Sequence, residues 1–192
     1  MKVRLHAVEL GSRANGPGLR AAVWFQGCTI GCRGCFNPDT HDAGGGYEAD
    51  TESLAGEIAA AGGIEGVSIS GGEPFQQPEA LQDLLRRLRA TPLGILVFSG
   101  YTLERIRALG RGAEILANID VLIAGPYAEA QHLGRGLLGS ANQRIHLLTS
   151  LYKLTDFADL PKCEVILHRD GTVTVTGIDP LRRKELAQLP HN

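Results

Sequence analysis

Long apolar runs, blocks of basic charge and cysteine are all scarce in this chain of 192 residues. No stretch approaches the roughly 20 consecutive apolar residues that a membrane-spanning helix needs, so no membrane span is expected. The opening segment MKVRLHAVELG alternates apolar and polar residues as a strand does and holds no leader-like apolar core, which makes a cytoplasmic protein the expectation. Lysine and arginine form no block, and the formal net charge is −2, so electrostatics give a nucleic-acid partner no support. There is no internal repeat and no linker, and a single domain over residues 1–192 is expected. Cysteine occurs four times, with three copies inside eight residues. In a reducing compartment that grouping points to metal or catalysis before disulfides.

The chain is rich in glycine, with 25 copies, and in short apolar segments separated by turn formers. Val3 to Leu10 and Ala21 to Phe25 read as strands joined by Gly11-Ser12-Arg13-Ala14-Asn15-Gly16-Pro17-Gly18. Beyond Gly44-Gly45-Gly46, Asp50 is a candidate N-cap for a helix carrying Leu54, Ile58 and Ala61 on one face. Gly66 to Ser70 is a short strand, and Pro78 opens a helix with Leu81, Leu84, Leu85 and Leu88 at i, i+3, i+4 and i+7. Ile95 to Phe98 is another strand, followed by a helix with Leu103, Ile106 and Leu109, then the strand Val121 to Ile123. Strands alternating with amphipathic helices predict an α/β fold, a mainly parallel sheet and a ligand site at the carboxyl ends of its strands. Glu164 to His168 and Thr172 to Thr176 flank Arg169-Asp170-Gly171 and predict a C-terminal antiparallel hairpin. A last helix is expected from Asp179 to Leu189, with Leu181, Leu186 and Leu189.

The chemistry concentrates in Cys28-Thr29-Ile30-Gly31-Cys32-Arg33-Gly34-Cys35, a Cys-x3-Cys-x2-Cys loop directly after a strand. Three thiolates can each hold one iron of a cubane and leave the fourth iron open to chelate a substrate. Gly31 and Gly34 suit a loop that must wrap a cluster. A zinc site completed by His41 or Cys163, a four-ligand electron-transfer cluster using Cys163, and three metal-free reactive thiols are the other readings of the same residues. His6, His132, His146 and His168 lack metal-ligand spacing to one another and read as surface or core residues. Trp24 and Phe25 read as packing, Asn15 as a turn former or a lining residue, and Arg13 and Arg20 as solvated side chains before carboxylate binders.

The cysteine spacing resembles the signature of the radical S-adenosylmethionine (SAM) superfamily. Ser70-Gly71-Gly72-Glu73-Pro74, after the strand Val67 to Ile69, resembles that family's Gly-Gly-Glu-Pro motif. A narrower resemblance runs through Arg13 to Arg20, Trp24 to Cys28, Gly34-Cys35-Phe36-Asn37-Pro38, Ser99-Gly100-Tyr101-Thr102, Gly125-Pro126-Tyr127 and Ser140-Ala141-Asn142-Gln143-Arg144. These blocks are similar to the activating enzymes of anaerobic (class III) ribonucleotide reductase, within the glycyl-radical-enzyme activases.

The resemblance implies a partial (β/α) radical SAM barrel with the C-terminal hairpin appended. It implies a [4Fe-4S] cluster on Cys28, Cys32 and Cys35, and SAM held by Gly71, Gly72, Glu73 and Pro74, with Asn37, Ser99 and Asn142 as further cofactor-binding residues. The implied reaction is reductive cleavage of SAM to a 5′-deoxyadenosyl radical that installs a glycyl radical on an anaerobic ribonucleotide reductase-like partner. A flavodoxin- or ferredoxin-type protein is the implied reductant. Ala124, where relatives often carry aspartate, and the stretch 131–139 depart from the pattern. They motivate a stand-alone radical SAM enzyme acting on a small molecule or another peptide. A non-catalytic iron-sulfur or zinc module, which needs a fourth protein ligand, is the reading from a different class.

Overall fold

A computed structural model describes residues 1–178, so the helix expected over 179–189 lies outside the described residues. The chain runs β1 (Lys2–Ser12), β2 (Arg20–Phe25), β3 (Tyr47–Asp50), α1 (Thr51–Ala60), β4 (Gly66–Gly71), α2 (Pro78–Arg89), β5 (Gly94–Ser99), α3 (Leu103–Arg107), α4 (Gly112–Leu116), β6 (Val121–Ala124), β7 (His132–Arg135), β8 (Leu138–Ser140), β9 (Arg144–Leu147), β10 (Cys163–Leu167) and β11 (Val173–Gly177). Seven strands form one sheet in the order β3-β1-β2-β4-β5-β6-β9, while β7 with β8 and β10 with β11 are separate two-stranded pieces.

At the centre β2, β4, β5 and β6 pair in parallel and in sequence order, as the alternation of strands and helices predicts. The expected mainly parallel sheet is nevertheless mixed, because β1 pairs antiparallel with β2 and β3, and β9 antiparallel with β6. The link from Ser12 to Arg20 is too short for a crossover, which takes a dozen or more residues, so the chain must turn back antiparallel. Between β6 and β9 the chain forms the small β7–β8 hairpin in place of a helix. The expected helix through Leu109 is also divided. It stops at Arg107, ahead of the poor helix former Gly110, and α4 follows.

Helix α1 starts where Asp50 accepts the amides of Glu52 and Ser53, and α2 opens on Pro78 and ends among Arg86, Arg87 and Arg89, cations that suit a helix carboxyl end. Leu81, Leu84, Leu85 and Leu88 are fully buried and pack with Leu54 and Ile58 against Val23, Ile69, Ile95 and Val97 of the sheet. The alternate side chain of β5, Leu96, faces the other way and joins Val121, Ile123, Leu137 and Phe157 in a second cluster.

Arg20, read from sequence as a solvated side chain, has no exposed surface. Its Nε donates to Ser68 Oγ at 2.8 Å, and its two terminal nitrogens donate to the carbonyls of Pro17, Val67 and Gly94 and to the Tyr152 hydroxyl at 2.8–3.0 Å. All five donors of the guanidinium are used, and no carboxylate is needed because backbone dipoles surround the charge. The side chain thereby staples the leading ends of β2, β4 and β5. Lysine offers three donors from one point and cannot span these acceptors. Arg20→Lys is expected to lower stability by about 2–4 kcal/mol in urea unfolding, and Tyr152→Phe by about 1 kcal/mol.

Candidate functional site

At the opposite, carboxyl ends of these strands the chain opens into a cavity of about 820 Å³. Cys28, Cys32 and Cys35 line it together with Gly71, Gly72, Glu73, Asn37 and Ser99. Trp24 of β2, Ser70 of β4 and Phe98 of β5 form its floor, and Ile30, Phe36, Tyr127 and Leu137 add apolar wall. Of the residues expected from sequence to hold the cluster or SAM, two do not reach the lining. Pro74 is buried at the start of a short 3-10 turn (Pro74–Gln76) behind it. Asn142 donates to the Pro126 carbonyl at 2.8 Å, its Oδ1 is buried without a partner, and the neighbouring Gln143 lines the cavity instead.

The cysteine loop is pinned at both ends. Gly27 donates to the Thr40 carbonyl at 2.8 Å and Cys28 to that of His41 at 3.1 Å, closing residues 27–41 into a compact excursion. Gln26, buried at the end of β2, donates to the carbonyls of Asp39 and Asp42 and meets His6 Nδ1 at 3.1 Å. Inside the loop Cys35 donates to the Cys32 carbonyl, and the Asn37 amide lies 3.4 Å from Cys35 Sγ. Burial pushes the Cys35 thiol above its ordinary range and the nearby Cys32 and Cys28 push it further, against the Asn37 amide. Three soft donors lining one cavity, on a loop whose amide reaches a sulfur, suit a polynuclear iron-sulfur group in which each thiolate binds its own iron.

The turn after β4 is locked to this loop by backbone. Gly72 donates to the Phe25 carbonyl at 2.8 Å and Glu73 to the Gly27 carbonyl at 2.9 Å. A Cβ on Gly72 would collide with that same Gly27 carbonyl, so the glycine is required by the approach of two loops as well as by any ligand. Gln76 and Gln77 reinforce the junction. Gln76 bridges the Thr29 hydroxyl and the Tyr101 hydroxyl, and Gln77 donates to the carbonyls of Arg4 and Gln26. The sequence assigns no role of their own to Gln26, Gln76 and Gln77. Their signal was polar side chains beside a strand end and a motif, where a surface position is the ordinary expectation.

Glu73 is 1% exposed. Its Oε1 accepts from the Phe75 amide at 3.0 Å and the Ser99 hydroxyl at 2.9 Å, and its Oε2 from the Gly100 amide at 2.8 Å. The carboxylate thus ties the end of β4 to the end of β5. Burial outweighs these donors and the Arg105 charge and raises its pKa to about 7. The folded protein therefore holds a proton that the unfolded chain releases near the ordinary glutamate value of 4.5. Stability attributable to this group is full below that value and falls by up to about 3 kcal/mol as pH rises to about 7. Urea unfolding of metal-free protein across this range should show that fall in the wild type and a flat profile in Glu73→Gln.

Cys163 sits at the start of β10, outside the lining, with its thiol 4.0 Å from the Glu164 carbonyl, while His41 does line the cavity. Trp24 and Phe25 are buried as expected of packing residues. Asn15 is buried too, and its amide donates to Ser12 Oγ and Thr176 Oγ1.

Three relatives extend these observations. The pyruvate formate-lyase-activating enzyme of Clostridium pasteurianum is 34% identical over 128 residues, which cover 62% of this chain and 50% of that protein. The pyruvate formate-lyase 1-activating enzyme of Escherichia coli K12 is 40% identical over 90 residues, 43% of this chain and 36% of that protein. The pyruvate formate-lyase-activating enzyme of Listeria monocytogenes is 37% identical over 94 residues, 45% of this chain and 37% of that protein. The chain thus spans half or less of the length of these relatives. The sequence pattern of the 4Fe-4S single cluster domain matches residues 14–146, from the turn before β2 to β9, and the chain belongs to that family.

Proposed function

We propose that the chain is a radical SAM activase, which cleaves SAM reductively at a [4Fe-4S] cluster and installs a glycyl radical on an anaerobic ribonucleotide reductase-like partner. The observation that carries this reading is that Cys28, Cys32, Cys35 and the Gly71–Glu73 turn line one cavity at the carboxyl ends of parallel strands. The sequential order β2-β4-β5-β6 supports a partial (β/α) barrel, because a doubly wound sheet reverses its order at the binding crevice and this one does not. Relatives named as pyruvate formate-lyase-activating enzymes support an activase. The blocks from Arg13 to Arg20 and from Ser99 to Thr102 favour the reductase-like partner.

Cys28, Cys32 and Cys35 would hold three irons. Such a cluster supplies the electron and an open iron at which the sulfur to 5′-carbon bond of SAM is broken. The residues around it bind, orient and exclude water. Glu73 Oε2 takes a single protein donor and retains an acceptor direction for the SAM ammonium. Ser99 donates to Glu73 and accepts the Tyr101 amide, so it acts as a positioning residue for that carboxylate. Trp24, Phe98, Ile30 and Leu137 provide the dry wall that a reactive carbon radical needs. Thr29, Gly31 and Arg33 are exposed on the cysteine loop, which supports access of a flavodoxin- or ferredoxin-type donor to a cluster that the loop would hold.

Anaerobically reconstituted and reduced protein should release 5′-deoxyadenosine and methionine from SAM, and Cys32→Ala should abolish release. With anaerobic ribonucleotide reductase present, a glycyl-radical signal should appear by electron paramagnetic resonance. A signal with pyruvate formate-lyase alone would reassign the partner. His41→Ala and Cys163→Ala should keep their iron, and loss of the metal in either variant would favour a four-ligand module.

A further inference from the structure

Strands β10 and β11 form a two-stranded sheet apart from the main one. Gly171, at φ +85°, closes the loop by donating to the His168 carbonyl at 3.0 Å, and His168 donates to the Thr172 carbonyl at 2.9 Å. That pairing sets which backbone groups face which way. Residues opposite one another in an antiparallel ladder alternate between hydrogen-bonded and non-bonded pairs. Counting from His168, the bonded pairs are Ile166 with Thr174 and Glu164 with Thr176. Val173, Val175 and Gly177 therefore aim their N–H and C=O groups away from β10. Among the described residues none of these groups has a hydrogen-bond partner.

This edge, unpaired among the described residues, borders the cavity. Val173 to Ile178 line it without a gap, alongside the three cysteines. Successive side chains of a strand point to opposite faces, so an unbroken run of lining residues means that the cavity follows the strand's edge. The hairpin is held firmly at other points. Glu164 accepts from the Ser12 hydroxyl and the amides of Arg13 and Ala14 at 2.8–3.2 Å, Asn15 donates to Thr176 Oγ1 at 2.9 Å, and His168 Nε2 lies 3.2 Å from Glu9 Oε2. Only another extended backbone repeats donors and acceptors at the two-residue spacing that this edge presents.

We propose that the polypeptide substrate enters the cavity as a third strand beside β11, pairing its backbone with Val173, Val175 and Gly177. The proposal rests on the reading of the chain as an activase and names how its peptide is gripped. Backbone pairing suits a substrate whose reacting residue is a glycine, because a residue without a side chain gives pockets nothing to hold. Three contact residues at alternate positions span roughly 14 Å of strand, enough to fix register through main-chain bonds alone.

The test uses reconstituted, SAM-loaded protein and two fluorescent peptides, one from the glycyl-radical loop of anaerobic ribonucleotide reductase and one from that of pyruvate formate-lyase. Val175→Pro removes an edge N–H without touching the ladder to β10, and Val175→Ala keeps the amide and shortens the side chain. Fluorescence anisotropy should show one peptide binding the wild type, about ten-fold weaker binding to Val175→Pro, and binding to Val175→Ala within about three-fold. Circular dichroism and iron content report folding. If the proline variant loses either, the wild type is tested with peptides whose flanking amides are replaced by esters, again with about ten-fold weakening expected. Equal binding by Val175→Pro, equal weakening by both variants, or no ester effect overturns strand addition. SAM cleavage together with a glycyl-radical signal on a whole partner enzyme, by a wild type that binds neither peptide, overturns it while the activase reading stands. A wild type that does not cleave SAM overturns both.

Discussion

Two backbone hydrogen bonds, from Gly72 to the Phe25 carbonyl and from Glu73 to the Gly27 carbonyl, hold the candidate site together. They join two loops that leave neighbouring parallel strands at the same end. One loop carries the thiols and the other the buried carboxylate. Each loop contains only one 3-10 turn, Pro38–Thr40 in the first and Pro74–Gln76 in the second, too little to keep its shape alone. Their mutual bonds, with Gln26, Gln76 and Gln77 packed around them, replace the ladder that ends at Phe25 and Gly71. Glu73 then carries the connection one strand further, to Ser99 and Gly100.

Much of this was legible in the sequence because it follows from local pattern. The leucine periodicity of α2, the Asp50 cap of α1 and the hairpin around Asp170-Gly171 each depend on neighbours in the chain. The cysteines and the Gly-Gly-Glu-Pro turn were legible through their spacing, and the structure brings both to one cavity. What escaped were features fixed by partners far apart in the chain. Arg20 looked like a surface cation, yet its acceptors come from residues 17, 67, 68, 94 and 152. The antiparallel edges β3 and β9 have too few residues for a periodicity to declare itself, and they form because β1 and β6 offer them an edge.

Glu73 is a motif residue held between two opposing influences. Its burial disfavours charge, while its three donors favour it, and the two influences leave it near balance at neutral pH. A cation arriving beside Oε2 would tip that balance toward the carboxylate. Ligand binding and the proton held at the β4–β5 junction are thereby linked, with no movement of the strands required.

The polarity of β2 has a consequence for how such a chain can change over time. Its leading residue, Arg20, secures the sheet, and the segment after its last residue, Phe25, supplies the thiols. Five residues of strand, Ala21 to Phe25, separate the guanidinium staple from the loop that carries the thiols. Ala124 and the stretch 131–139 contribute no acceptor to that staple, whose partners are residues 17, 67, 68, 94 and 152. Exposed positions at that end, such as Leu133 and Arg135, can therefore vary without disturbing the staple, while Ala124 and Leu137 stay tied to the core.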